Sequence, residues 1–157
     1  MQFKLSTLVA LLAASPALAA SKGATVAAGI YKVTTKVLDV RKVAESIELT
    51  TYPSKASLFF SDYRGLLDLK NEQVQSSPDG IEPSSEPEVC NAFISYSEVE
   101  KNFLATIIDK EAIFKSFASA LPVLEMLRSD SSISDTYYSN VLGLVPSCQA
   151  DIMKNGK

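Results

Sequence analysis

The fold is decided by residues 26–47, which read VAAGIYKVTTKVLDVRKVAESI. Apolar residues recur there at alternating steps of four and three, the spacing that gives one face of a helix of about six turns. A strand is excluded because alternation breaks at residues 39–41. Many of these residues are β-branched and lower helix propensity, so the helix depends on packing. The apolar face consists of Val26, Ile30, Val33, Val37, Val40, Ala44 and Ile47.

The rest of the sequence also predicts helices and no convincing strand. The Tyr52-Pro53 step ends the first segment, and a second helix begins at Ser54. An exposed loop follows at residues 76–87, which include three Pro, one Gly and four Ser. A third helix begins with a capping box from Ser85 to Glu88.

After residue 109 the pattern predicts a short helix near residues 113–117 and another from Pro122 to Pro146. The last helix is either continuous or broken at the polar residues 129–132. Together these segments predict an all-α fold, an antiparallel helical bundle of about five helices.

Residues 1–19 have the layout of a secretory signal peptide. Lys4 precedes an apolar run, and Ala-Leu-Ala at residues 17–19 fits a cleavage site. The run is too short to span a bilayer, so no transmembrane segment is expected. We expect a secreted, extracellular protein that starts near Ala20, with residues 20–157 forming a single domain. The sequence does not end in an apolar tail, so we expect no lipid anchor.

Composition excludes several chemistries. The chain has no His and two Cys, which rules out a Ser-His-Asp triad, a Cys-His dyad and a Cys/His zinc site. The formal net charge is −3 without a basic patch, which argues against nucleic-acid binding. We therefore expect a protein that is not an enzyme and that needs no metal or cofactor.

The two cysteines are expected to pair. An even number of cysteines behind a signal peptide is typical of a disulfide, here Cys90–Cys148. A redox-active or intermolecular thiol is the alternative.

Large aromatic rings recur on the long helices after the first, and they indicate either an ordinary core or an apolar ligand site between helices. We expect the first helix to face the third across an apolar space that accepts an acyl chain. A carboxylate at its mouth would meet Tyr31, Lys32 or Tyr63. In the adjacent pairs at residues 59–60 and 137–138, one ring should lie at an edge. The candidate ligand-lining residues are Ile30, Val33, Val37, Val40, Phe59, Tyr63, Phe93, Phe103, Ile107, Tyr137 and Val141.

Three segments add a family resemblance to the striped first helix. They are VCNAF at residues 89–93, LATIIDKEAIF at 104–114 and TYYSNVLGLVP at 136–146. With them the chain resembles the fungal hydrophobic-surface-binding protein A and cell-wall galactomannoprotein family. The resemblance implies a secreted bundle, cell-wall associated in some members, that adsorbs to hydrophobic surfaces or binds fatty-acid-like molecules between its helices. It also implies a secreted lipolytic enzyme or a host protein as a partner.

Two hypotheses about function follow. The first is a non-enzymatic binder of an apolar ligand or a hydrophobic surface. The alternative is a secreted protein–protein interaction module, such as an enzyme inhibitor or a host-directed effector. A long closed cavity would favour the first, and a filled core with an exposed apolar or charged patch would favour the second.

Overall fold

A computed structural model of the chain describes residues 21–151, so the expected signal peptide lies outside the described residues. The described part is all-α, as predicted, and forms a helical bundle. The helices are α1 Lys22–Glu45, α2 Tyr52–Gln75, α3 Glu86–Asp109, α4 Glu111–Ser116 and α5 Ala120–Leu144. A short 3₁₀ turn, Pro83–Ser85, precedes α3, and another, Pro146–Cys148, follows α5.

The four long helices alternate in direction along the chain, but they do not all pack as antiparallel neighbours. Helix α1 packs on α2 and α3, and α2 packs on α5. The start of α1 meets the start of α3 through Gly23 and Ser85, and the end of α3 reaches the end of α1 through a bond from Lys110 to the carbonyl of Ile47. Helices α1 and α3 are therefore parallel, and the loop after α2 crosses the end of the bundle to start α3.

Helix α1 has the apolar face that the sequence predicted. It begins after Ser21, whose hydroxyl accepts a hydrogen bond from the backbone N–H of Ala24 at 3.1 Å, which satisfies one of the free donors of the first turn. The face is buried from Ile30 through Ala44. The helix ends at Glu45, so Ile47 lies in the following turn, where it is still fully buried.

The starts of two helices depart from the sequence prediction. Helix α2 begins at Tyr52, because Pro53 is accommodated in the first turn, where no backbone donor is needed. The predicted capping box of α3 does not form, because the Ser85 side chain makes no capping bond and lies against Ser21 instead. Of the two alternatives for the last helix, the continuous one is confirmed, since α5 runs through residues 129–132 without a break.

The Ser85 departure has a steric cause. A Cβ atom on Gly23 would lie 2.1 Å from the Cβ of Ser85, so the two helix starts touch almost backbone to backbone. Ser85 also belongs to the 3₁₀ turn that precedes α3. Its hydroxyl therefore faces the start of α1 and not the first turn of its own helix.

The predicted disulfide is confirmed. Cys90 near the start of α3 is bonded to Cys148 in the turn after α5, with 6.2 Å between the Cα atoms. The bond ties the last described turn to the middle of the chain.

The adjacent aromatic pairs are arranged as predicted. Phe59 and Tyr137 are buried, whereas Phe60 and Tyr138 are half-buried at the edge of the core. Within residues 21–151, no helix is both long enough and apolar enough to cross a membrane.

Candidate ligand grooves

The predicted ligand-lining residues all belong to one buried hydrophobic core. Four of them also border a surface groove. Ile30, Tyr137 and Val141 border a groove between α1, α2 and α5, and Ile107 borders another among α3, α4 and α5. The other seven border none of the grooves described here: Val33, Val37, Val40, Phe59, Tyr63, Phe93 and Phe103.

Groove A lies between the first half of α1, the end of α2 with its following loop, and α5. Its volume is about 440 Å³, within the usual range for small-molecule sites. The apolar part of its lining is formed by Val26, Ile30 and Val141 together with the ring of Tyr137. Gly29 also borders it, and a Cβ atom there would lie 1.9 Å from the Gln73 side chain.

The Tyr137 hydroxyl is a buried polar group without a hydrogen-bond partner among the described residues. The residue is only 2% exposed. An unpaired buried hydroxyl costs about 1–3 kcal/mol, so a ligand atom that accepts its hydrogen bond would be favoured. Burial, together with the charge of Glu100, raises the pKa of Tyr137 well above its ordinary value, so the phenol remains a neutral donor at neutral pH.

Two lysines border groove A, Lys22 at the start of α1 and Lys32 nearly three turns further on. Both are exposed, so their ammonium groups can meet a charged head group without being desolvated. Of the three mouth residues that the sequence suggested, Lys32 is at the groove. Tyr31 is exposed and Tyr63 is buried in a different part of the bundle.

A buried polar cluster joins three helices inside the core. The ammonium of Lys70 on α2 donates to Glu100 on α3 and to Asp130 on α5, the latter at 2.6 Å. Ser134 donates to Glu100 at 3.0 Å, and the Tyr63 hydroxyl donates to Asp130 at 3.1 Å. Lys70 is fully buried, so this is a desolvated ion-pair network and not a surface salt bridge.

The phenols around this cluster are held in their neutral form. Burial and the Asp130 charge raise the pKa of Tyr63, and burial and the Glu100 charge raise that of Tyr96. Burial, together with the charge of Glu100, raises the pKa of Tyr138 to about 12. The cluster therefore has two carboxylates for one ammonium, and the nearby tyrosines add no charge.

The sequence carries a signal for this cluster. Lys70 interrupts the apolar face of α2, and Asp130 lies in the apolar face of α5. Glu100 lies on the same face of α3 as Tyr96 and Phe103, at steps of four and three. A charged residue in each of three apolar faces was the signal that they pair.

Among residues 21–151, no group of three or more His, Cys, Asp or Glu side chains is placed to hold a metal ion.

A comparison with known protein families, curated proteins and solved structures finds no match for this chain.

Proposed function

We propose that this chain is a secreted, non-enzymatic protein that binds fatty-acid-like lipids, and that groove A is the site. The observation that carries the proposal is the unpaired Tyr137 hydroxyl, which belongs to a ring bordering an apolar groove with lysines beside it. A fatty acid supplies what this arrangement lacks. Its alkyl chain covers the apolar lining, and its carboxylate accepts a hydrogen bond and faces a cation.

The site differs from the one expected from periodicity alone. Val33 and Val37, which were expected to line an acyl site between α1 and α3, are fully buried in the core. The residues that border groove A come from α1 and α5, with the end of α2 between them. The proposal therefore keeps the ligand class and changes its place in the bundle.

Calorimetric titration of delipidated protein with lauric acid, below its micelle concentration, tests the proposal. Ala28 is exposed and borders groove A, so Ala28→Trp should fill the groove and weaken binding at least tenfold. Ala105→Trp is the matched control, because Ala105 is an exposed helical alanine that borders none of the described grooves. It should bind lauric acid as the unaltered protein does.

A second pair of variants tests the polar contacts. Tyr137→Phe removes the unpaired hydroxyl without changing the shape of the ring, and it should weaken lauric acid binding several-fold. Lys42→Ala, at an exposed lysine outside the groove, should leave binding unchanged. If no saturable binding of lauric acid is found, the lipid proposal fails and the interaction-module alternative leads.

A further inference from the structure

Two further grooves, B and C, lie between α3 and α5, away from groove A. Groove B lies among the end of α3, α4 and the start of α5, with a volume of about 300 Å³. Leu121 and Ile108 border it and are 71% and 68% exposed, and Leu124 is 41% exposed. Such a group of exposed large side chains is uncommon on a soluble surface without a partner.

Groove C continues along the same pair of helices, with a volume of about 670 Å³. Leu127 borders both grooves, so they meet at this residue. Of the described residues that border groove C, every charged one is an acid: Glu100, Asp130 and Asp135. An apolar groove thus leads directly into an acidic one.

Among the described residues, two of the carboxylates that border groove C are paired with the same ammonium. Lys70 contacts both Glu100 and Asp130, but it is one cation against two carboxylates. Asp135 adds a third carboxylate at the exposed edge of the groove. Charges at such a partly desolvated site interact more strongly with a ligand than charges in bulk water do.

We propose that grooves B and C together bind a single-chain amphiphile whose head group is a primary ammonium. The head group would lie against Glu100 and Asp135, where the negative charge exceeds the positive. The alkyl chain would extend past Leu127 towards Leu124 and Leu121.

The dimensions suit such a ligand. Along α3, the eight-residue step from Glu100 to Ile108 corresponds to about 12 Å of helix. Helix α5 runs antiparallel to α3. Asp130 therefore lies near the height of Glu100, and Leu121 lies near the height of Ile108. A medium-chain alkylamine spans this distance with its charged end in groove C.

This ligand is distinct in charge and place from the fatty acid of groove A. Decylamine and decanol have the same chain and differ in the head group, so they isolate the role of the charge. In calorimetric titrations at neutral pH, low salt and below the micelle concentration, one decylamine should bind per chain at least tenfold more tightly than decanol. Ala28→Trp should leave decylamine binding unchanged, because groove A is not involved.

Charge variants test the head-group contact. Glu100→Gln leaves Lys70 paired with Asp130 and should weaken decylamine binding at least tenfold. Glu98→Gln removes the same charge from an exposed position of the same helix and should have no effect. Asp135→Asn, at an exposed residue of α5, should weaken binding at least threefold even if the Glu100 variant does not fold.

Tail variants test the apolar half. Leu121→Gln should weaken decylamine binding several-fold, whereas Leu49→Gln, at a 60% exposed leucine between α1 and α2, should not. The proposal is overturned if decylamine and decanol bind alike. It is also overturned if Asp135→Asn and Leu121→Gln both bind decylamine as the unaltered protein does.

Discussion

The ammonium of Lys70 lies 2.6 Å from the carboxylate of Asp130, and this contact connects α2 to α5 inside the bundle. The same ammonium also contacts Glu100, so one side chain links three helices. It lies 5.6 Å from the centre of the Tyr96 ring, which faces it as a cation–π partner. The core of this bundle is therefore organised around a charge as well as around its apolar faces.

Lys70→Met should destabilise the protein by about 3–5 kcal/mol, because it leaves two buried carboxylates without their cation. Urea unfolding followed by circular dichroism measures the change. Lys36→Met is the control, since Lys36 pairs with Asp62 at the partly exposed surface of α1 and α2. Pairs of that kind contribute less than about 1 kcal/mol. Equal effects of the two variants would contradict the central role of Lys70.

The disulfide should contribute strongly to stability, because it closes a loop with a sequence separation of 58 residues. Chain-entropy arguments give about 4 kcal/mol for a loop of that length. The double variant Cys90→Ala/Cys148→Ala should lose about that much in urea unfolding. Alkylation of the purified protein without reductant should leave its intact mass unchanged. Two alkylated thiols would show that the cysteines are free.

Ala118 should be a position where glycine stabilises the protein. It follows α4 with a φ of 55°, a left-handed conformation that is unfavourable for residues with a Cβ atom. The backbone N–H groups of Ala118 and Ser119 donate to Lys115 and Phe114, which is the Schellman pattern that usually has glycine at this place. Ala118→Gly should raise the free energy of unfolding by about 1 kcal/mol.

Ala112→Gly is the matched control for this prediction, because Ala112 lies within α4 with ordinary helical geometry. Glycine there should lower stability by about 1 kcal/mol. The same substitution should thus have opposite signs six residues apart. A loss of stability at both positions would argue against the left-handed turn.

Stability should fall in alkaline solution between pH 10 and 12. The pKa of Tyr138 is about 12 in the folded protein against an ordinary value of 10.0, so in this window the unfolded chain releases a proton that the folded protein retains. This favours unfolding as the pH rises. Tyr138→Phe should reduce the slope of stability against pH in urea unfolding, whereas Tyr31→Phe, at a 48% exposed ring, should not. An unchanged slope for Tyr138→Phe would contradict the prediction.

The helices of the bundle could be predicted from the sequence, because helix formation is signalled by residues that are close together in the chain. The valine and isoleucine face of α1 fixes which side is buried, and Pro53 and Pro87 fall in the first turns of α2 and α3. The parallel packing of α1 on α3 could not be read in this way. It depends on the contact of Gly23 with Ser85, two residues far apart in the chain, which neither periodicity nor capping signals describe.

The candidate site was predicted only in part for the same reason. Periodicity identified Ile30, Tyr137 and Val141 as inward-facing, and all three border groove A. It could not tell them from Val37 or Phe93, which face inward equally but are enclosed by neighbouring helices. Whether an inward-facing residue meets packing atoms or free space is set by the separation of the helices, which one chain segment does not encode.

The most direct test of the proposed function is photo-crosslinking with a fatty acid that carries a diazirine on its alkyl chain, followed by mass spectrometry of the labelled peptides. The label should fall on peptides containing residues 22–32 and 137–141, and excess lauric acid or Ala28→Trp should abolish it. Labelling confined to peptides elsewhere in the bundle, or labelling that excess lauric acid does not reduce, would contradict the assignment of groove A as the lipid site.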